Sequence, residues 1–118
     1  MRSTDPPAAL RAAIAERSAG LCERCGAARA VLIHHRRPRG MGGSRRSDTN
    51  TFPNLLHICS PCHDRIESRR DDAERHGWLV PQGDDPETHP VRYRGQPVWL
   101  RGDGGVDFLD TDEQEFIA

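Results

Sequence analysis

Two closely spaced cysteine pairs constrain the fold of this chain more than any other feature. Cys22 and Cys25 form the first C-x-x-C pair, and Cys59 and Cys62 form the second. A C-x-x-C turn presents two thiolates on one tight loop, so two such turns can complete a tetrahedral four-sulfur site for zinc. We therefore expect the four cysteines to hold one structural Zn²⁺.

Composition favours zinc over disulfide bonds for these cysteines. The chain has 118 residues, of which only 35 % are hydrophobic, so its core would be marginal without a metal ion or disulfides. Residues 1–20 contain no uninterrupted apolar run that resembles an export signal, and no segment approaches the length of a membrane span. We expect a cytoplasmic protein with no membrane partner, and in a reducing cytoplasm paired C-x-x-C motifs favour zinc.

Charge is divided unevenly along the chain. Residues 1–70 carry 13 Arg against 6 acidic residues, whereas residues 71–118 carry 4 Arg against 12 acidic residues. A basic half that also contains the cysteines indicates a phosphate-rich partner such as nucleic acid. All 17 basic residues are arginine, which suits bidentate phosphate contacts. Because lysine is missing from the whole chain and not only from one patch, codon usage is the favoured explanation for that choice.

The pattern between the cysteines predicts an α+β core. Residues 30–33 form a short apolar run and residues 54–58 a second one, and both are expected to be strands. Between them, residues 36–53 combine prolines, glycines and arginines, which is typical of a long basic loop. A helix is expected to start at Ser60 as N-cap, with a proline in its first turn, and to run to about Arg75.

The flanking segments divide the chain into four parts. We expect an N-terminal helix within residues 1–20, over residues 6–18 and capped by Thr4 or Asp5. The core spans residues 21–76. A β-hairpin extension is predicted over residues 77–102, with strand candidates at 78–80, 91–93 and 98–100. Residues 103–118 contain six acidic residues and no basic ones, so we expect a loosely ordered acidic tail.

The histidines around the basic loop have the spacing of chemically active groups. His34 and His35 follow the first predicted strand, and neighbouring strand residues point to opposite faces, so the two imidazoles should have different tasks. A neutral imidazole can bind a metal ion or act as a general base. His63 lies directly after Cys62 in the first turn of the predicted helix. Glu67 shares its face at i+4 and could add a carboxylate ligand.

The segment Asn54-Leu-Leu-His-Ile-Cys59-Ser-Pro-Cys62-His63, together with His34-His35, resembles the HNH endonucleases. The resemblance runs from Cys22 to about Arg70 and is closest to the cysteine-containing branch of the family. It implies a small ββα-metal (His-Me finger) fold stapled by a four-cysteine zinc site. The segment Gly77-Trp-Leu-Val and the later hairpin are similar to small HNH proteins of actinobacterial phages.

The resemblance also implies a role for each site residue. His34 and His63 would hold a catalytic divalent cation, Mg²⁺, Mn²⁺ or another. His35 would be the general base, and Asn54 would pin the loop backbone so that the base is correctly aimed. Glu67 is a candidate third metal ligand, although relatives often carry His or Lys near that position.

The implied activity is metal-dependent hydrolysis of DNA phosphodiester bonds. The cation would bind a non-bridging phosphate oxygen and stabilise the leaving 3′ oxygen, while His35 takes a proton from the attacking water. Arginines of the basic loop would neutralise DNA phosphates with little dependence on sequence. These predicted DNA-binding residues are Arg36, Arg37, Arg39, Arg45 and Arg46.

Two questions of biological role stay open at this point. Small phage proteins of this type are associated with DNA packaging beside the terminase, which makes a terminase a candidate partner in a host cytoplasm. Homing and restriction nucleases are the alternatives within the same chemistry. A different class of function is a non-catalytic zinc-ribbon module that binds nucleic acid, which would need neither a general base nor a second metal site.

Overall fold

Short helices and strands follow one another along the part of the chain that the computed structural model describes, residues 5–38 and 47–117. In that part three α-helices accompany two small antiparallel sheets, so the expected α+β class is confirmed. Among the same residues, no helix combines the length and the apolarity needed to cross a bilayer. The elements are α1 (Ala8–Ser18), β1 (Leu32–His35), β2 (Leu55–Ile58), α2 (Ser60–Ser68), α3 (Arg70–Arg75), β3 (Val91–Tyr93), β4 (Gln96–Leu100) and β5 (Val106–Phe108).

The first sheet is the hairpin of β1 and β2. The two strands are antiparallel, with His34 opposite Leu56 and His35 opposite Leu55. β1 therefore lies slightly later than predicted and includes both histidines. Leu55, Leu56 and Ile58 of β2 are buried, so this apolar run packs against the interior of the fold. Asn54 belongs to a 3-10 turn just before β2 and not to the strand itself.

The single helix predicted from Ser60 to Arg75 is wrong, because the chain forms two helices there. α2 ends at Ser68, and Arg69 leaves helical geometry with φ −131° and ψ 64° before α3 begins. The N-cap of α2 is Cys59, and Ser60 is already helical. Ile66 of α2 and Ala73 of α3 both lie in the hydrophobic core, so both helices pack against the same interior.

The N-terminal helix is joined to the rest of the fold by a buried charge network. α1 starts after Pro7 with no side-chain cap, so the expected cap by Asp5 is absent, and Thr4 lies outside the described residues. Arg17 of α1 donates two hydrogen bonds of 2.8 Å to the fully buried carboxylate of Glu23. Tyr93 Oη donates to the same carboxylate at 2.8 Å, as does the backbone N–H of His57. One carboxylate thus connects α1, the first cysteine turn, β2 and β3.

A second buried charge, Arg36, ties the start of the basic loop to the C-terminal extension. Its side chain is completely buried, and burial lowers the pKa of the guanidinium to about 9, which still leaves it a cation at neutral pH. The positive charge is satisfied by backbone carbonyls from distant segments. The guanidinium donates hydrogen bonds of 2.7–3.2 Å to the carbonyl oxygens of Pro53, Gly77, Pro86 and His89.

The extension is built around one close backbone contact and one tight turn. Gly77 has φ +80°, and a Cβ there would lie 2.0 Å from the carbonyl oxygen of Pro90, so only glycine fits. Residues 78–80 are not a strand, contrary to the prediction. The predicted hairpin is present as β3 and β4, joined through Arg94 and Gly95, which both have positive φ as a type I′ turn requires.

The acidic tail is more ordered than its composition indicates. β5 pairs antiparallel with β4, with Val98 opposite Phe108 and Leu100 opposite Val106. Leu109 and Ile117 are buried against the fold. The expectation of a loosely ordered segment is therefore wrong for these residues, because alternating apolar side chains allow the tail to extend the second sheet.

Candidate functional site

The four cysteines form one cluster, as the sequence predicts. Their Sγ atoms all lie within 4.8 Å of one another, and all four are free thiols. One pair comes from the turn after α1, and the other pair comes from the junction between β2 and α2. Four thiolates at this separation are the donor set of a structural zinc site, so the residues present fit that metal.

The backbone of the first cysteine turn is arranged to stabilise negative charge on sulfur. Cys22 Sγ accepts hydrogen bonds of 3.4 Å from the backbone N–H groups of Arg24 and Cys25. Gly26 closes the turn by donating its N–H to the Cys22 carbonyl at 2.9 Å, with φ +68°. Because metal-bound cysteine is a thiolate, these N–H groups favour the ligand form of Cys22.

The exposed Cys25 and the buried Cys62 differ in the electrostatic surroundings of their thiols. Burial raises the pKa of the Cys25 thiol, but hydrogen bonds from the backbone of Ala27 and Ala28 outweigh it and bring the value down to about 6. Burial raises the pKa of the Cys62 thiol to about 12, against the lowering effect of the hydrogen bond from Arg24. That bond joins Arg24 Nη1 to Cys62 Sγ at 3.2 Å.

Arg24 is a partner of the cysteine cluster that the sequence did not reveal. Its guanidinium carbon lies 4.1 Å from the centre of the Trp78 ring, a cation–π contact that holds the side chain over the cluster. A positive charge beside four thiolates offsets part of the negative charge that they would share around one metal ion. No local signal marks this role, because Trp78 reaches the cluster only through the tertiary fold.

A second group of potential metal ligands lies at the wall of a surface cleft and combines one buried side chain with two more exposed ones. Ligand atoms of His34, His63 and Glu67 all lie within 4.8 Å of one another. The rings of His34 and His63 are 5.7 Å apart, centre to centre. The three side chains open into a cleft of about 300 Å³, which is lined by Ile33, His34, His35, Pro38, His63, Glu67, Arg70 and Leu79.

His34 is oriented by a backbone carbonyl. Its Nε2 atom lies 2.8 Å from the carbonyl oxygen of Trp78. Because a carbonyl can only accept, Nε2 carries the proton and Nδ1 carries the lone pair that could bind a metal ion. Burial lowers the pKa of His34 to about 4, helped by the neighbouring charges of His63 and His35. The imidazole is therefore neutral at physiological pH, the form that a metal ligand needs.

His35 lines the same cleft and is oriented by the basic loop. Its Nε2 atom is 2.9 Å from Oδ1 of Asn50, and the amide nitrogen of Asn50 donates to the Asp5 carbonyl at 3.4 Å. With an amide oxygen as the acceptor, Nε2 of His35 is the protonated nitrogen and Nδ1 has the lone pair. In this tautomer Nδ1 is the nitrogen that could accept a proton from a water molecule.

Asn54 clamps the two ends of the basic loop. The residue is fully buried, and its Oδ1 atom accepts the backbone N–H of Arg37 at 2.7 Å. Its amide nitrogen donates to the carbonyl of Thr49 at 2.8 Å, and its own carbonyl accepts the N–H of Arg36 at 2.8 Å. Asn54 therefore fixes the backbone that immediately follows His35.

The structure changes the assignment of the predicted DNA-binding arginines. Arg36 is fully buried by the carbonyls described above, so its prediction as a phosphate contact is wrong. Arg37 is 2 % exposed and forms an ion pair with Asp48, which raises the pKa of Arg37. Arg37 also donates to the Asp84 carbonyl at 3.0 Å, so it too stabilises the loop and does not face solvent. The other three, Arg39, Arg45 and Arg46, lie outside the described residues.

Comparisons of the chain with protein-family models, with curated proteins and with solved structures found no match. Two imidazoles and one carboxylate are a donor set for a divalent cation, and a neutral histidine beside them can accept a proton. This combination suits metal-assisted hydrolysis.

Proposed function

We propose that the chain is a metal-dependent endonuclease of the HNH type that hydrolyses phosphodiester bonds in DNA. The observation that carries the proposal is the meeting of three potential metal ligands, His34, His63 and Glu67, with His35 in one cleft. The order of the hairpin β1–β2 and helix α2 agrees with the ββα-metal arrangement that the sequence motif implies. The basic character of residues 1–70 supports an anionic substrate.

The donor set favours a transition metal over Mg²⁺ in the cleft. Imidazole nitrogen suits Zn²⁺, Ni²⁺ and Fe²⁺, whereas Mg²⁺ prefers oxygen ligands. When bound, a divalent cation would supply Lewis-acid stabilisation of the charge that develops on phosphate oxygens. His34 would bind through Nδ1, since its Nε2 is committed to the Trp78 carbonyl.

The protein's own groups then divide the remaining work. His35 takes a proton from the attacking water, with its tautomer set by the hydrogen bond to Asn50. Asn54 holds the backbone next to His35, so the imidazole does not drift with the loop. The four-cysteine cluster has no donor position left for water or substrate, and its proposed role is structural. Partnership with a terminase stays a prediction of the family resemblance.

The test is nicking of supercoiled plasmid by the purified protein with Mn²⁺, Ni²⁺, Zn²⁺ or Mg²⁺. We expect activity with at least one of these ions, and a loss of roughly 10²–10⁴-fold in His35→Ala, the usual contribution of a general base. The matched control is His89→Ala, because His89 is a partly exposed histidine that pairs with Asp84 away from the cleft. Its activity should equal that of the wild type.

Two results would contradict the proposal in different ways. Equal nicking by wild type and His35→Ala would show that His35 is not the base. Binding of DNA without cleavage under any of the four ions would instead support the non-catalytic zinc-ribbon module.

A further inference from the structure

Among the residues that the structure describes, Arg70 is the one arginine that lines the histidine cleft. Its side chain is 52 % exposed, in contrast to the buried guanidinium groups of Arg36 and Arg37. It stands at the start of α3, directly after the break at Arg69. Arg36 and Arg37 are held by buried partners and cannot reach a ligand in this cleft, whereas Arg70 can.

The contact that Arg70 makes in the structure is with a potential metal ligand. Its Nη1 atom lies 2.7 Å from Oε2 of Glu67, and Oε1 of Glu67 lies 3.7 Å from Nε2 of His63. One carboxylate thus stands between the guanidinium and the histidines. Because both Arg70 and Glu67 are about half exposed, water screens the pair and it contributes little to stability.

The surface beside the cleft limits how far a bound nucleic-acid strand could make favourable contacts. A second depression is lined by Glu67, Ser68, Arg69, Arg70, Asp71 and Asp72, so it shares Glu67 and Arg70 with the histidine cleft. The two depressions meet at the junction of α2 and α3. The carboxylates of Asp71 and Asp72 in this second depression would repel phosphate, and of its lining arginines only Arg70 also lines the histidine cleft.

We propose that Arg70 binds a backbone phosphate of the nucleic acid that lies in the histidine cleft, next to the phosphate that is cleaved. The inference rests on the proposed nuclease function. It also implies an exchange of partners. If Glu67 turns its carboxylate to the histidines as a metal ligand, Arg70 loses its partner and presents its planar fork to phosphate oxygens, the geometry that arginine matches best.

The test measures DNA affinity without cleavage. Labelled duplex DNA is titrated with the zinc-loaded His35→Ala protein by fluorescence anisotropy, with and without added Mn²⁺, at several salt concentrations. Arg70→Gln should weaken binding in Mn²⁺ by about tenfold, the effect of one lost charge-assisted hydrogen bond. The slope of log affinity against log salt should fall by about 1. Arg70→Lys should restore the salt slope but only part of the affinity, because a lysine keeps the charge and not the fork.

Arg65→Gln is the matched control. Arg65 is an exposed arginine of α2 that does not line the cleft, so its loss should change affinity and slope much less. Equal effects of Arg65→Gln and Arg70→Gln would overturn the inference, since both would then act only through net charge. A second measurement addresses the exchange. Glu67→Gln should strengthen binding without Mn²⁺, and that gain should shrink in the Arg70→Gln background; equal gains in both backgrounds would refute the exchange.

The inference and the proposed function fail separately. If the wild type nicks plasmid but Arg70→Gln matches Arg65→Gln in affinity and salt slope, the nuclease stands and the role of Arg70 is wrong. If no cation supports nicking but Arg70→Gln shows its specific loss of affinity, the cleft is a phosphate-binding site without hydrolytic activity.

Discussion

The cysteine cluster and the histidine cluster take ligands from adjacent residues, Cys62 and His63, yet they are opposite kinds of site. Three of the four cysteines are buried, and all four donor positions of a tetrahedral ion would be filled by sulfur. The histidine cluster offers only three donors, two of them partly exposed, at the wall of an open cleft. A closed donor set can stabilise a fold, whereas an open one leaves positions for water and substrate.

The shared helix start explains why the two sites belong together. Successive residues of an α-helix point about 100° apart, so Cys62 turns inward to the cysteine cluster while His63 turns outward to the cleft. Anchoring Cys62 therefore also sets the position of His63. The proposed structural metal would therefore fix the position of one ligand of the proposed catalytic metal, through the backbone that joins Cys62 to His63.

The largest expected effect is loss of folding in Cys59→Ala. Structural zinc contributes about 10–16 kcal/mol in small zinc-binding peptides, which is comparable to the whole stability of a domain of this size. We expect Cys59→Ala to lose its zinc and its secondary structure, measured by elemental analysis and circular dichroism. His63→Ala should keep both, because its side chain is partly exposed and belongs to the open cluster. A folded, zinc-free Cys59→Ala protein would show that the cysteine cluster is no more necessary for folding than the histidine cluster.

An intermediate effect is expected for Asn54→Ala on the side of the histidine cleft. The substitution removes the hydrogen bonds of the Asn54 side chain to the buried N–H of Arg37 and to the carbonyl of Thr49, at roughly 1–3 kcal/mol for each bond. Urea unfolding should show a loss of about 2–6 kcal/mol, and nicking activity should fall because the backbone beside His35 is no longer held.

Asn54→Asp separates the two hydrogen bonds of this clamp. At neutral pH a buried carboxylate can still accept from Arg37, but it faces the Thr49 carbonyl with no hydrogen to donate, so Asn54→Asp should lose at least as much stability as Asn54→Ala. Part of that loss should be recovered at acidic pH, where the carboxyl is protonated and can donate. Full stability in Asn54→Ala would show that the loop closes without the clamp.

The smallest effect concerns Tyr93, under the cysteine turn. Burial, reinforced by the charge of Glu23, raises the pKa of Tyr93 above its usual value near 10. The unfolded chain thus ionises its tyrosine first. The contribution to stability is complete below about pH 10 and declines as the pH rises through the folded-state value. Tyr93→Phe should cost about 1–3 kcal/mol at neutral pH and should flatten this alkaline decline.

The chain allows a clear measurement of that titration. Tyr93 is its single tyrosine, and the absence of lysine removes the side chains that usually ionise in the same range. Tyrosinate absorbance should therefore appear only as the protein unfolds. Ionisation of the folded protein near pH 10 would show that the tyrosine is not held in the Glu23 network.

Local sequence patterns predicted the elements that depend on local chemistry. The C-x-x-C spacing indicated that four sulfurs meet, and short apolar runs indicated the two strands and the later hairpin. The juxtaposition of His63 and Glu67 follows from one turn of helix. The catalytic roles of the histidines stay predictions, because a spacing shows which groups come together and not what they do.

What the sequence could not predict depends on distant partners. Arg36 looked like a loop charge because the carbonyls that bury it come from residues 53 and 77–89. The break at Arg69 has no glycine or proline to mark it. In the tail, six acidic residues concealed a short strand, since its pairing with β4 could be recognised only once the neighbouring strand was in place.

Arg36 also bears on how short an active fragment of this protein can be. The motif that carries the proposed chemistry ends before Gly77, which makes that position an obvious place to shorten the chain. Such a fragment would keep every histidine and cysteine of both clusters, but it would lose most of the oxygen atoms that compensate a wholly buried cation. We therefore expect the segment from residue 77 to residue 90 to belong to the minimal folding unit.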